Sequence, residues 1–170
     1  MEPVTTEGRL PWFREHSPDG HPLWVAEIDG AIAGWFSFHS FITRCAYRGT
    51  AEVSGVYVGE SCRRRGVARS LLEEAIARSP QLGITVLVGC IFGHNEPSLK
   101  LFERFGFQRW GFLPRIARLD GVARDLVIMV ATFKIGEHQG DLLDQSQNVI
   151  LSHRLAHHAD LFVFRGHLQK

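Results

Sequence analysis

The alternation of apolar and polar positions predicts two paired strands near the start of the chain. The runs Leu23 to Ile28 and Ile32 to Ile42 are rich in β-branched and aromatic residues, as strands are. They are separated by Asp29-Gly30, a dipeptide that favours the tight turn of a β-hairpin. We therefore expect an antiparallel pair here.

The next predicted strand, Thr50 to Val58, changes phase midway. Its apolar residues are Ala51 and Val53 before Gly55, and Val56 and Val58 after it. Because side chains alternate between the two faces of a strand, one extra residue at a β-bulge would bring all four onto one face. We expect that bulge at Gly55. It would place Glu52, Ser54 and Tyr57 together on the opposite face.

A helix, a strand and a second helix follow. From Gly66 to about Ser79 the apolar residues recur at helical spacing. Ile84 to Phe92 is an almost unbroken apolar run, typical of a strand covered on both faces. The second helix is predicted from about Asn95, which can cap it, to Phe105, because Gly106 is suited to end it.

A last hairpin is predicted from Phe107–Leu119 and Val122–Phe133, turned by Asp120-Gly121. The strand–helix–strand unit requires one parallel pair, whereas the hairpins are antiparallel. The fold class is therefore α/β with a mixed sheet: mostly antiparallel, with one parallel pair, and flanked by helices.

Length and patterning suggest one domain with an appendage. We expect a domain over residues 1–133 and an appendage over 134–170, where a polar stretch and a His-rich segment replace the periodic pattern. The short apolar run Leu161–Phe164 lies in this appendage. Because unpaired sheet edges promote aggregation, we hypothesise that Leu161–Phe164 covers an exposed edge or joins a homodimer contact.

Composition narrows the classes of partner and compartment. Nineteen basic and eighteen acidic side chains give a net charge of +1, so we expect neither nucleic acid nor an anionic membrane as partner. Cys45, Cys62 and Cys90 are widely spaced and odd in number, which favours reduced thiols in a cytoplasmic protein. No run approaches the ~18 apolar residues of a membrane span.

The His-rich segment offers a possible metal site. His153, His157 and His158 have helical spacing, but no nearby cysteine and no obvious carboxylate partner completes a ligand set. We therefore expect a polar face of the appendage and no metal.

The segment Arg63-Arg64-Arg65-Gly66-Val67-Ala68 joins the bulged strand to the first long helix. Backbone N–H groups at a helix N-terminus lack intrahelical partners and carry the positive end of the helix dipole, so small residues there can form a phosphate cradle. Arginine adds forked hydrogen bonds to phosphate oxygens. An arginine triplet alone is more often a solvated surface run, and both interpretations stay open at this point.

Four short motifs in order resemble the GNAT superfamily of N-acetyltransferases. They are Val56-Tyr57-Val58, Arg63-x-x-Gly66-x-Ala68, Asn95-x-x-Ser98 and Phe105-Gly106-Phe107. The resemblance covers roughly Leu23 to Val130. Within the superfamily, the segment from Gly49 to Ser54, Gly121 and Asp125 resemble the phosphinothricin and methionine-sulfoximine acetyltransferase group.

This resemblance implies acetyl-CoA as the cosubstrate and a small primary amine as the acceptor. It implies that backbone groups of Val56 to Val58 hold the pantetheine arm and thioester, that Arg63 to Ala68 hold the pyrophosphate, and that Asn95 and Ser98 contact the cofactor. It also implies that the parallel strands splay apart at this point.

The chain departs from the family pattern in three ways. Glu52 lies five residues before Tyr57 instead of the common four, which the expected bulge would absorb. Phe102 stands where many members carry a tyrosine as general acid, so the thiolate must be protonated by water or another group. The chain also begins at a segment that in the family follows a first strand and helix, and those two elements help to wall the acceptor pocket.

In the expected mechanism Glu52 acts as the general base, and the backbone N–H of Val58 stabilises the oxyanion. Without the family, Glu52 is better interpreted as a solvated carboxylate on a strand, and Tyr57 is equally well interpreted as a packing residue. Asp125 suits either an acceptor ammonium or an anchor for the last hairpin, and His39 and His94 are similarly open. Two alternatives are a non-catalytic acetyl-CoA-binding module and a protein N-acetyltransferase.

Overall fold

The computed structural model describes residues 5–17, 20–133 and 150–152. Three α-helices, α1 to α3, span Thr6–Arg14, Val67–Arg78 and Glu96–Arg104. Seven strands, β1 to β7, span Leu23–Ile28, Ala31–Ser40, Thr50–Val58, Val86–Phe92, Gln108–Leu119, Val122–Thr132 and Ile150–Ser152. Short 3-10 turns occupy Cys45–Tyr47, Glu60–Cys62 and Ser79–Leu82.

All seven strands form one mixed sheet in the order β5-β6-β4-β3-β2-β1-β7. The pairing of β3 with β4 is parallel, whereas every other pair in the described sheet is antiparallel. The predicted α/β fold with one parallel pair is therefore confirmed. Among the described residues, no helix is long and apolar enough to cross a membrane.

Two aspartate–glycine turns close the hairpins as predicted. Asp29 and Gly30 have φ of 52° and 76°, and Asp120 and Gly121 have φ of 49° and 79°. Positive φ at both central residues gives a turn whose twist matches that of the flanking strands. The local chemistry of these dipeptides therefore sets the register of both hairpins.

The predicted bulge in β3 is present at Ser54-Gly55. Along β2, Ser37 pairs with Gly55 and the next residue, Phe38, pairs with Val53, so Ser54 is the extra residue on β3. Ala51 and Val53 are buried, and Val56 packs against the same core cluster. One continuous apolar face results, as the phase change indicated.

The helices α2 and α3 supply the other half of the core. Leu71 and Leu72 of α2 are fully buried and join the cluster that contains Ala51 and Val53. On β4, Gly89 leaves room for the Phe102 ring of α3, since a Cβ at Gly89 would lie 2.6 Å from that ring. This close approach fixes which face of β4 turns toward the helices.

Two described elements were not predicted. Helix α1 was missed because its sequence has weak periodicity and carries Pro11, although Thr5 caps it by accepting a hydrogen bond from the Gly8 N–H at 3.1 Å. The edge of β1 is paired by β7. Covering of an edge had been expected from Leu161–Phe164, which lies outside the described residues.

Candidate active site

A gap opens between β3 and β4 halfway along the sheet. The two strands pair in parallel from Thr50 opposite Val86 to Val53 opposite Gly89, where the ladder ends. Both strands nevertheless continue, β3 to Val58 and β4 to Phe92. The end of the pairing coincides with the bulge, because the extra residue bends and twists β3 away from its neighbour.

Backbone groups of β3 point into this gap. The Gly59 N–H donates to the Ala33 carbonyl at 2.8 Å. The Gly59–Ala33 pair is thus a hydrogen-bonded pair. Because hydrogen-bonded and non-hydrogen-bonded pairs alternate along an antiparallel ladder, the neighbouring pair, Val58 with Gly34, is non-hydrogen-bonded. The N–H and C=O of Val58, and by the same alternation those of Val56, are therefore directed away from β2 toward β4.

The N-terminus of α2 forms an open cradle beside the gap. Gly66 is the N-cap, has φ of +83°, and provides no side-chain cap for the helix. Apart from its two chain neighbours, no heavy atom lies within 4 Å of the place where a Cβ of Gly66 would sit, so the space beside the start of α2 is open. Arg63, Arg64 and Arg65 are exposed around it. Uncapped amides and exposed guanidinium groups together suit a phosphate.

The predicted residues on the second helix have a structural role as well. The Asn95 Oδ1 accepts a hydrogen bond from the Ser98 N–H at 3.3 Å, which caps α3. This cap orients the first turn of α3 toward the loop that follows β4. Ser98 is partly exposed there, at the same end of the sheet as the gap.

Glu52 and Tyr57 project from the same face of the bulged strand. They pair with His39 and Trp35 of β2, which are four residues apart and thus on one face of a regular strand. Tyr57 is 49% exposed and stacks on Trp35 with ring centroids 4.6 Å apart. Between them, the Ser54 and Ser37 hydroxyls are hydrogen-bonded at 2.7 Å. A carboxylate and a phenol therefore share one polar surface beside the gap.

Helix α1 walls this surface with aromatic side chains. Trp12 packs edge-on against Trp35, with ring centroids 5.6 Å apart, and His16 packs edge-on against His39 at 5.3 Å. The segment was recognised in the sequence only as one that in the family follows a first strand and helix. Its contribution to the site depends on docking across some twenty residues of intervening chain, which periodicity does not reveal.

Three histidines cluster around the position opposite Glu52. His39 stacks on His21, whose Nε2 is hydrogen-bonded to the Ser40 hydroxyl at 2.9 Å, and the His39 Nε2 lies 3.9 Å from the Glu15 carboxylate. Burial lowers the pKa of His16 and His21 below 6.5, and nearby His39 lowers both further. Folding therefore favours the neutral forms of His16 and His21.

Two candidate residues remain, Asp125 on β6 and His94 just after β4. The Asp125 carboxylate accepts a hydrogen bond from the Arg115 N–H at 2.7 Å, where Arg115 has φ of +53° in an irregular part of β5. Asp125 therefore anchors the hairpin. His94 is exposed and stacks on Phe92, away from the histidine cluster. No group of three possible metal ligands occurs among the described residues.

Fold and site together define a class of protein, in which a mixed sheet splits at a parallel pair of strands. In this chain the uncapped, arginine-flanked start of α2 lies at one side of the split, and the Glu52 carboxylate lies at the other. Such a site can hold a long phosphate-bearing donor in the gap and an acceptor on the polar face.

Comparison with known proteins agrees with this class. The sequence profile of the acetyltransferase (GNAT) family matches residues 2–107, and the chain belongs to that family. It is 52% identical over 129 residues to YwnH of Bacillus subtilis, a provisionally assigned phosphinothricin acetyltransferase, covering 75% of this chain and 78% of YwnH.

Two further relatives extend the comparison. An L-methionine sulfoximine/L-methionine sulfone acetyltransferase of Pseudomonas aeruginosa is 33% identical, over 75% of this chain and 74% of its own. The structure of YncA, a provisionally assigned acetyltransferase of Salmonella typhimurium, was solved with its cofactor acetyl-CoA. It superposes with a TM-score of 0.72 at 29% identity, over 81% of this chain and 78% of that one. The chain is thus an N-acetyltransferase of the GNAT family.

Proposed function

We propose that this enzyme transfers the acetyl group of acetyl-CoA to the primary amine of a small amino acid of the phosphinothricin or methionine-sulfoximine type. The acceptor class is supported by the names of the relatives above. The single observation that carries the chemistry is the bulge of β3, which turns Glu52 toward the same face as Tyr57 at the edge of the β3–β4 gap.

The donor side of the site would use backbone more than side chains. The amides of Gly66, Val67 and Ala68, with the arginines before them, suit the pyrophosphate, because they are uncapped and open. Val56 and Val58 would align the pantetheine arm with their free backbone groups, and the exposed Tyr57 ring would border it. Asn95 and Ser98 would bound it on the α3 side. Acetyl-CoA, when bound, supplies the thioester as acyl donor.

On the acceptor side, Glu52 would take a proton from the ammonium group, directly or through one water. The amine nitrogen would then bond to the thioester carbonyl carbon, the carbon–sulfur bond would break with CoA leaving as a thiolate, and the nitrogen would release its second proton as the amide forms. The Val58 N–H, which is directed into the gap, would donate to the carbonyl oxygen as it gains negative charge. Phe102 has no hydroxyl and packs against Gly89, so it offers no proton to the thiolate, and the proton released by the nitrogen would reach the sulfur through water or another group.

The test is a screen of amine acceptors with purified protein, following release of CoA. We expect turnover with at least one small amino acid of the proposed type. Glu52→Gln keeps the size of the side chain but removes the base, so kcat/KM should fall by about 10²-fold near neutral pH. The deficit should shrink at higher pH, where more of the amine is already deprotonated in solution.

Glu73→Gln is a matched control, because Glu73 forms only a surface ion pair with Arg69. It should leave turnover unchanged. Full activity of Glu52→Gln across the pH range would remove Glu52 from the mechanism. Acetyl-CoA binding without turnover for any amine would contradict the proposed reaction, whereas turnover with peptide N-termini alone would reassign the acceptor.

We further propose that the enzyme acts as a homodimer in the cytoplasm. The β5–β6 hairpin exposes large apolar side chains, with Trp110 63% and Ile116 61% exposed, and such a patch is typical of a surface that another protein covers. Light scattering of the purified chain should give twice the monomer mass, and Ile116→Glu should shift it toward the monomer. A monomeric wild type would overturn this assignment.

A further inference from the structure

A thiol that the proposed mechanism does not use lies beside its carboxylate. Cys90 is on β4, two residues beyond Val88, which pairs with Glu52 across the parallel strands. Residues two apart share a face of a strand, so Glu52, Val88 and Cys90 lie on the same face. Cys90 stands one residue past the last recorded β3–β4 pair, at the start of the gap.

Packing on the opposite face of the sheet fixes the direction in which the Cys90 side chain projects. The neighbouring Gly89 turns toward the helices, where Phe102 fills the space against it. Cys90 must therefore project to the opposite, polar face, where it keeps exposed surface. A strand with this anchoring cannot turn the Cys90 side chain to the other face of the sheet without displacing Phe102 from the core.

On this face the Cys90 thiol lies diagonally across from the Glu52 carboxylate, near enough for the carboxylate to act on the thiol by charge and by hydrogen bonding. Partial burial, then the negative charge of Glu52 and this hydrogen bond, raise the pKa of Cys90 to about 11. Below that pH the sulfur keeps its proton, so the S–H donates and the carboxylate accepts. Because a protonated thiol is a poor nucleophile, Cys90 is suited to hydrogen bonding and not to covalent chemistry.

We propose that Cys90 is a positioning residue, whose S–H holds the Glu52 carboxylate at the mouth of the β3–β4 gap in its ionised form. This inference rests on the proposed role of Glu52 as the base. A carboxylate on a strand has several rotamers, and only those directed to the gap reach an amine lying against the thioester. A donor on β4 selects among them from the side of the gap, while His39 flanks Glu52 from β2.

The test compares Cys90→Ala with Cys90→Ser, which keeps a hydroxyl donor in nearly the same place. Cys90→Ala should lower kcat/KM for the amine about 3- to 10-fold, with acetyl-CoA affinity unchanged, and Cys90→Ser should recover most of the loss. The acid limb of the kcat/KM profile should move to higher pH in Cys90→Ala, because a donor to the ionised carboxylate is lost.

The other titratable groups facing Glu52 are unchanged in these variants. They are His39 and Tyr57 on the polar face, with Glu15, His16 and His21 behind His39. In a Glu52→Gln background, Cys90→Ala should cause no further loss, because the carboxylate that the thiol positions is absent. Cys45→Ala is the control, since Cys45 is an equally exposed thiol in the β2–β3 connection. It should behave as wild type.

The outcomes separate this inference from the proposed function. If Glu52→Gln lowers kcat/KM but both Cys90 variants match wild type, Cys90 does not position the base. Equal losses in the alanine and serine variants, or equal losses with and without Glu52, would show a packing role and also overturn the inference. If Glu52→Gln itself has no effect, the proposed role of Glu52 fails first. Melting temperatures and the acetyl-CoA-induced shift establish that each variant is folded.

Discussion

Gly55 is the residue on which the candidate site depends most directly, and replacing it should be costly. A Cβ at Gly55 would lie 2.6 Å from Cζ3 and 2.7 Å from Cη2 of Trp35, and 3.3 Å from Cε2 of Tyr57. Carbon atoms pack at about 3.5–4.0 Å, so the Trp35 ring would have to retreat by about 1 Å. That ring is held between Tyr57 and Trp12, with centroid distances of 4.6 Å and 5.6 Å.

Overpacking of this kind costs about 1–3 kcal/mol. For a chain of this size, each kcal/mol lowers the melting temperature by about 2–4 °C, so Gly55→Ala should melt about 2–12 °C below wild type. Urea titration of the same variant should show a lower midpoint with an unchanged slope. Gly59→Ala is the control, because its Cβ would lie 3.4 Å from the Ala33 carbonyl oxygen, an ordinary contact.

A double-mutant cycle with Trp35→Ala identifies the cause. With the indole removed, the two shortest contacts of the added methyl group are gone and the contact with Tyr57 Cε2 at 3.3 Å remains, so Gly55→Ala should cost less in the Trp35→Ala background than in wild type. An equal cost in both backgrounds, or no cost in wild type, would refute the explanation by collision with Trp35.

Three further predictions concern the cradle, the histidine cluster and the sheet edge. Millimolar acetyl-CoA should raise the melting temperature, since a ligand of the native state stabilises that state. Gly66→Glu should abolish the shift by placing a negative charge in the cradle. Unchanged wild-type melting would contradict the proposed cofactor site. Because the pKa of His16 and His21 is lowered below 6.5, the unfolded chain binds more protons than the folded one as pH falls below about 6.5, so stability should decline there. His16→Gln should flatten that decline in melting scans, and an equal slope in both proteins would exclude the cluster as its source. Truncation after Phe133 removes β7 and leaves the β1 edge unpaired, so we expect a lower melting temperature or self-association in size-exclusion chromatography. Leu151→Pro should act in the same direction, since proline cannot donate to a strand ladder; a truncated chain that melts and elutes as a monomer like wild type would make the appendage dispensable.

Local patterns were sufficient for most elements of the sheet. The aspartate–glycine turns, the capping Asn95 and the terminating Gly106 act within a few residues of themselves, so their effect can be read without knowing the fold. The bulge was predictable for the same reason. A phase change in the apolar pattern of β3 has few structural solutions once one face must be buried.

Helix α1, in contrast, could not be predicted from local patterns. Its own periodicity is weak, and its position follows from packing of Trp12 on Trp35 and of His16 on His39. The residues next to each of these four in the sequence form no motif that predicts the contact. Packing between distant segments, and not propensity, decides most helical stability, so the missing signal is expected.

The sequence by itself determined the order of β1 to β6 and of α2 and α3 along the chain, the two hairpin turns, the bulge and the motif at the start of α2, because each depends on residues that are close along the chain. The tertiary structure decided that Cys90 stands next to Glu52, that three histidines gather opposite it, and that Ile150–Ser152 pairs with β1. These arrangements join segments separated by tens of residues. Their register is set by the burial of the whole sheet against α2 and α3, which no local pattern contains.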